Sequence, residues 1–122
     1  MADGNNIVKE KAEKFAIHIV KCSRFIRETK REYSLADQLL RCGTSIGANL
    51  YEAEFAQSKA DFISKMSIAL KEASETKYWL WLLHSTDILE DKIYYSMNTD
   101  LKNIISLLVS ILRSLKGVES KK

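Results

Sequence analysis

Proline is absent from all 122 residues, and glycine occurs only four times. Proline removes a helical hydrogen bond and clashes with the preceding turn, so its absence favours long uninterrupted helices. No run of about 18 apolar residues occurs, which excludes a membrane-spanning helix. The opening residues, MADGNNIVKEK, lack the apolar centre of a secretory signal, so a cytoplasmic location is expected. Cysteine occurs twice, at Cys22 and Cys42, with no Cys-x-x-Cys pair. In a reducing compartment both read as free core thiols. Catalytic patterns are missing too. Di-metal bundles use Glu-x-x-His pairs, and neither His18 nor His84 has a Glu three residues before it. There is no glycine-rich phosphate loop and no nucleophile elbow. The expectation is a protein that is not an enzyme and holds no cofactor or metal.

The chain does have strong helical periodicity. One seam runs through Val8, Ala12, Phe15, Ile19, Cys22 and Ile26 in alternating steps of four and three. This is the spacing of a helix packed along one stripe against other helices. A second seam, Leu35, Leu39, Cys42, Ile46, Asn49 and Ala53, repeats it. A third runs Phe62, Met66, Ala69, Ala73, Thr76, Leu80, Leu83. The fourth, Ile93, Met97, Leu101, Ile104, Leu108, Ile111, Leu115, continues unbroken through Asn98 and Thr99. Helix starts are expected at Asn5 or Asn6, at Ser34 with Asp37, at Ser58 with Asp61, and at Asp87 with Glu90. Gly117 is the expected final stop, with a frayed tail over Val118–Lys122. The reading is all-α: one domain, 1–122, an antiparallel up-down-up-down four-helix bundle with helices at about 6–31, 35–57, 59–84 and 88–116.

Several features exceed a plain core. Gly43 and Gly47 lie four apart beside the second seam. A glycine inside a helix costs up to about 1 kcal/mol against alanine, so two imply a close approach by another backbone. Asn49 sits on an apolar line, either to set register or, with Arg41 or Glu52, to hold a ligand. The segment Tyr78-Trp79-Leu80-Trp81-Leu82-Leu83 is apolar nearly all round, whereas a bundle buries only one stripe. Two readings stand: Trp79 and Trp81 face another subunit, or they cluster within the chain under the helix 3–4 connector. Tyr94 and Tyr95 pose the same choice.

Net charge is +3, unevenly spread. Residues 1–36 carry +3, residues 37–91 carry −4 and residues 92–122 carry +4. Helices 1 and 4 are neighbours in the expected bundle, so their basic turns suggest one surface of Lys21, Arg24, Arg27, Arg31, Arg113 and Lys116. Such a surface attracts phosphate backbones without reading sequence. The competing reading is an ordinary solvated face, since Glu10, Glu13, Glu28 and Glu32 are interleaved.

The stretch Tyr33, Leu35, Gln38, Arg41, Ser45, Ile46, Asn49, Leu50, Glu52 resembles a family pattern, Tyr-x-Leu-x-x-Gln-x-x-Arg followed by Ser-Ile-x-x-Asn-Ile-x-Glu-Gly. The family is that of four-helix-bundle proteins encoded by intervening sequences in bacterial large-subunit ribosomal RNA genes. The accessory variability determinant of diversity-generating retroelements is related to it. A second block is similar to the family's helix 3: Phe62-Ile63, Ala69-Leu70-Lys71-Glu72-Ala73 and Glu75-Thr76-Lys77-Tyr78-Trp79-Leu80. Ala53 stands where the family pattern has its terminal glycine, and Leu50 where it has isoleucine. The resemblance implies a cytoplasmic homo-oligomer, typically a pentameric ring. It also implies association with a reverse transcriptase and with RNA or DNA, as in the retroelement branch. Gln38, Arg41, Ser45, Asn49 and Glu52 enter through the motif, with a structural role in holding helices together.

Overall fold

The structure, a computed structural model, describes residues 2–116 and forms four helices: α1 (Ala2–Glu28), α2 (Tyr33–Ala53), α3 (Lys59–Ser85) and α4 (Asp91–Lys116). Each packs on two neighbours in a ring, α1 on α2 and α4, α3 on α2 and α4. Ion pairs fix the directions. Lys9 meets Glu54 at 2.9 Å and Arg27 meets Asp37 at 2.6 Å, so the start of α1 lies at the end of α2. Lys65 meets Glu52 at 3.0 Å, and Arg41 reaches Glu72 and Glu75, so α3 runs back along α2. Phe25 and Cys22 share a hollow with Ile93 and Met97, which sets α4 antiparallel to α1. The result is an all-α, up-down-up-down bundle, and no membrane-spanning helix occurs among the described residues.

The seams turn inward. All six α1 positions are buried, as are Met66, Ala69, Ala73, Thr76, Leu80 and Leu83 of α3. On α2 the buried stripe is wider than one seam. Ala36, Gly43, Gly47 and Leu50 are buried with Leu39, Cys42, Ile46 and Ala53, because α2 meets α1 on one flank and α3 on the other. On α4 the line shifts at its end, where Leu112 is buried and Ile111 and Leu115 are half-buried. Seven residues make slightly less than two turns of a 3.6-residue helix, so a strict seam drifts sideways. Cys22 and Cys42 are both free and buried.

The two glycines face different neighbours. A Cβ on Gly43 would lie 2.7–2.8 Å from three side-chain carbons of Ile19. A Cβ on Gly47 would meet only Ala12, at 3.9 Å. The close approach of α1 is therefore made at Gly43, by a side chain.

Helix ends depart from the sequence expectation in four places. α1 begins at Ala2, ahead of Asn5 and Asn6. α2 begins at Tyr33; Glu32 is its N-cap without a side-chain bond, and Asp37 binds Arg27 rather than capping. α2 stops at Ala53 rather than Gln57, in a tighter turn where Glu54, Phe55 and Ala56 each donate to the carbonyl three residues back. Asp87 does not start α4. It adopts φ 64° as the left-handed residue ending α3, with Asp87 N–H on the His84 carbonyl and Ile88 N–H on the Leu83 carbonyl. That is the Schellman closure of a helix, made here without glycine. Ser58 does cap α3, accepting from the Asp61 N–H at 3.0 Å while the Asp61 carboxylate accepts from the Gln57 N–H. Gly117 and the tail Val118–Lys122 lie outside the described residues.

Candidate functional site

The two motif blocks meet on the flank where α2 packs against α3. Gln38, Arg41, Ser45, Asn49 and Glu52 recur every three or four residues, so all lie on one side of α2. Arg41 is the centre. Its guanidinium donates to Gln38 Oε1 at 3.2 Å and to Glu75 Oε2, and stands 3.5 Å from Glu72 Oε1. The Trp79 indole N–H donates to the same Glu75 oxygen at 3.1 Å. Trp79 first and Arg41 second hold the Glu75 carboxyl below its ordinary pKa, since both favour the charged form. Glu52 pairs with Lys65. Thr76 donates to the Glu72 carbonyl at 2.7 Å. Burial pushes the neighbouring Cys42 thiol up, partly offset by a hydrogen bond with Thr76.

The contacts of Arg41 with Glu72 and Glu75, and of Glu52 with Lys65, tie α2 to α3. Asn49 is not the register device considered from its place on the seam: its amide donates to Ser45 O at 2.9 Å, within its own helix. Of the partners considered with Asn49 for a ligand, Arg41 is engaged by Glu75 and Glu52 by Lys65. Glu72 and Glu75 stand in the second motif block, but sequence reasoning assigned them no role as partners of Arg41. Their spacing of three on the α3 flank was the available signal.

The six predicted cations do not form one surface. Because α1 and α4 are antiparallel, their C-terminal turns lie at opposite ends of the bundle. Lys21 lines a hollow with Lys92 and Ile93, near the start of α4. Arg113 and Lys116 lie some 20 residues further along α4, roughly 30 Å away at 1.5 Å per residue. Arg27 is bound to Asp37 and stacked over the Tyr33 ring at 5.3 Å. Arg24 lines a small hollow on the α2 side with Ser23 and Leu40. Arg31 occupies the α1–α2 corner with φ 58°.

What faces α4 is a different stripe: Lys11, Lys14, His18, Lys21 and Phe25, in steps of three, four, three and four. It lies one position before the buried seam of α1. Lys92, Ser96, Asp100 and Asn103 answer it from α4. Between them runs a groove with two compartments that share His18. One, of about 460 Å³, has Cys22, Phe25, Leu89, Ile93 and Met97 as its apolar wall and Lys21 and Lys92 on its rim. The other, of about 160 Å³, is of mixed character, with Phe15 in its wall and Lys11, Lys14, Asp100 and Asn103 around it.

The aromatic segment divides. Trp79 is half-buried and bonded to Glu75, whereas Trp81, two residues on, stands 51% exposed on the far flank of α3. Tyr78 and Tyr95 are exposed with it, at 51% and 58%. His84 stacks flat on Tyr94 at 4.1 Å and bonds Asp91 at 2.7 Å. Trp79 is thus held within the chain, and Trp81 faces outward.

The fold and the joined motif blocks define a four-helix-bundle protein whose middle helices are clamped by an arginine–glutamate–tryptophan network. The chain belongs to the 23S rRNA-intervening sequence protein family, whose model matches residues 4–110. It is similar to a crystal structure of a protein of unknown function from the S23 ribosomal protein family of Bacteroides thetaiotaomicron VPI-5482. That chain is 49% identical, the match covers 90% of this chain and 98% of that one, and the TM-score is 0.88. No curated protein matches the chain.

Proposed function

We propose that this chain is a non-enzymatic, cytoplasmic helical module that assembles as a homo-oligomer, with a pentamer as the family expectation. In this reading its basic α1/α4 side binds nucleic acid, or a nucleic-acid enzyme such as a reverse transcriptase. The observation that carries the reading is the run of Lys11, Lys14, Lys21 and Lys92 along one groove, where Asp100 is the single carboxylate lining it among the described residues. Family membership supports it. Arg24 and Arg31 lie away from this groove, on the α2 side and at the α1–α2 corner, and Arg113 with Lys116 lies at the other end of the bundle.

The test is fluorescence anisotropy with labelled RNA and DNA across salt concentrations. Submicromolar binding near 0.15 M salt is expected, with log affinity falling linearly in log salt. Replacing Lys14, Lys21 and Lys92 together by alanine should reduce the slope by about 2 to 3, one phosphate per lysine. Binding seen only at very low salt would reject the reading. The second reading, a protein-interaction oligomer without nucleic-acid affinity, draws on Trp81, Tyr78 and Tyr95 and on Phe55, which is 81% exposed. Replacing Trp81 by glutamate should then break the oligomer, as light scattering would report.

A further inference from the structure

We propose that the α1/α4 groove takes single-stranded rather than duplex nucleic acid, with an unpaired base against Phe25 and the backbone phosphates on Lys14, Lys21 and Lys92. This rests on the nucleic-acid reading above and adds the form of the ligand.

The argument starts from the spacing of the α1 stripe. Lys11, Lys14, His18 and Lys21 lie on one face of α1, and the next member of the same stripe is Phe25. A track of cations therefore ends on an aromatic ring. The ring is 40% exposed, at the edge of the compartment. Lys30 already lies over it, with Nζ 5.9 Å from the centroid. The compartment beside the ring is apolar in its wall and cationic at its rim. A wholly apolar ligand would leave the rim lysines unused, and a bare polyanion would leave the apolar wall wet. A nucleotide has both parts, a flat base and a phosphate. Ser96 and His18 offer hydrogen bonds at the edge of the compartment for the polar rim of a base.

Duplexes cannot satisfy this site. Their bases are stacked and paired, so they present phosphates to the lysines and nothing to the compartment. Single strands combine a basic groove that follows the backbone with aromatic rings on which bases stack, in a largely sequence-tolerant way. At about 460 Å³ the compartment lies within the usual range of small-ligand sites and exceeds what water alone needs.

The experiment compares a labelled single-stranded oligonucleotide with its duplex of equal length, near 0.15 M salt, on the whole protein. The single strand should bind at least about tenfold more tightly. Phe25→Leu keeps an apolar side chain and removes the aromatic face. It should weaken single-strand binding roughly five- to hundredfold, the range found for losing a stacked base, and leave the duplex unchanged. Lys21→Ala with Lys92→Ala should weaken both and lower the salt slope. Thermal melting of each variant separates lost binding from lost folding. Equal affinity for both forms, or no effect of Phe25→Leu, overturns this inference while the nucleic-acid reading survives. If neither form binds, both fall. If Phe25→Glu instead changes the mass of the assembly, a second copy of the chain covers the groove and the proposal is wrong.

Discussion

Replacing Gly43 and Gly47 by alanine, one at a time, should change stability in opposite directions. Both glycines lie inside α2, where alanine is favoured by up to about 1 kcal/mol. At Gly47 the new methyl would find Ala12 Cβ and O at 3.9 Å, an ordinary contact. Gly47→Ala should therefore gain about 0.5–1 kcal/mol, or roughly 2–6 °C in melting temperature for a chain of this size. At Gly43 the methyl would meet Ile19 Cδ1, Cγ1 and Cγ2 at 2.7–2.8 Å. Ile19 is fully buried, and its branched carbons cannot all swing away. Overpacking of this kind costs about 1–3 kcal/mol, which exceeds the helical gain and leaves a net loss of up to about 2 kcal/mol. Urea unfolding followed by circular dichroism gives both values, and an unchanged m-value shows that the denatured state is the same. Ile19→Val removes the Cδ1 methyl, so it should cost less on the Gly43→Ala background than on the wild type. The reasoning fails if Gly43→Ala stabilises as much as Gly47→Ala.

Three further outcomes follow from the packing and the charges. Leu112→Ala should cost about 2–4 kcal/mol and Ile111→Ala clearly less, because the α4 line has moved onto Leu112; equal costs in urea unfolding would contradict the observed drift. The Glu75 carboxyl titrates below its ordinary value when folded, so its contribution is complete above the ordinary carboxylate pKa and is lost as pH falls through the lower, folded value. Glu75→Gln should therefore flatten the acid limb of a melting-temperature profile, and an unchanged limb would count against the network. Burial pushes the Cys22 thiol up to about 11, so the folded protein should resist alkylation there at pH 8. It should also lose stability between about pH 9 and 11, where the unfolded chain gives up this proton first. Rapid labelling of folded Cys22, read by mass spectrometry, would refute that.

The helices and their inward stripes were legible in the chain because an apolar residue every three or four positions has few other uses. Val8 to Ile26 and Met66 to Leu83 needed nothing more. The ends were harder. Ser34 and Asp87 are good capping residues, yet the corner is decided by backbone closure around Arg31 and Asp87, both at positive φ without glycine. Side-chain chemistry does not announce such a choice. In the α2–α3 network, each block was visible as a motif, but Arg41 and Glu75 are 34 residues apart and only the antiparallel pairing joins them. The basic face was misplaced for a related reason. Arg24 and Arg27 share an angle, but it turns them toward α2, and the antiparallel packing sends Arg113 and Lys116 to the opposite end of the bundle. Read by angle, Lys11, Lys14, His18, Lys21 and Phe25 are a stripe in the sequence itself.

That stripe lies one position behind the buried seam of α1 throughout its length, which restricts how the helix can change in descent. A substitution alters one position and leaves the two rows in step. An insertion or deletion of one residue within α1 turns everything on one side of it by about 100°. Core and groove would go out of phase together, with lysines carried inward and isoleucines carried out. Lineages of this protein should therefore vary α1 by replacement and confine changes of length to the helix start or to the corner around Arg31.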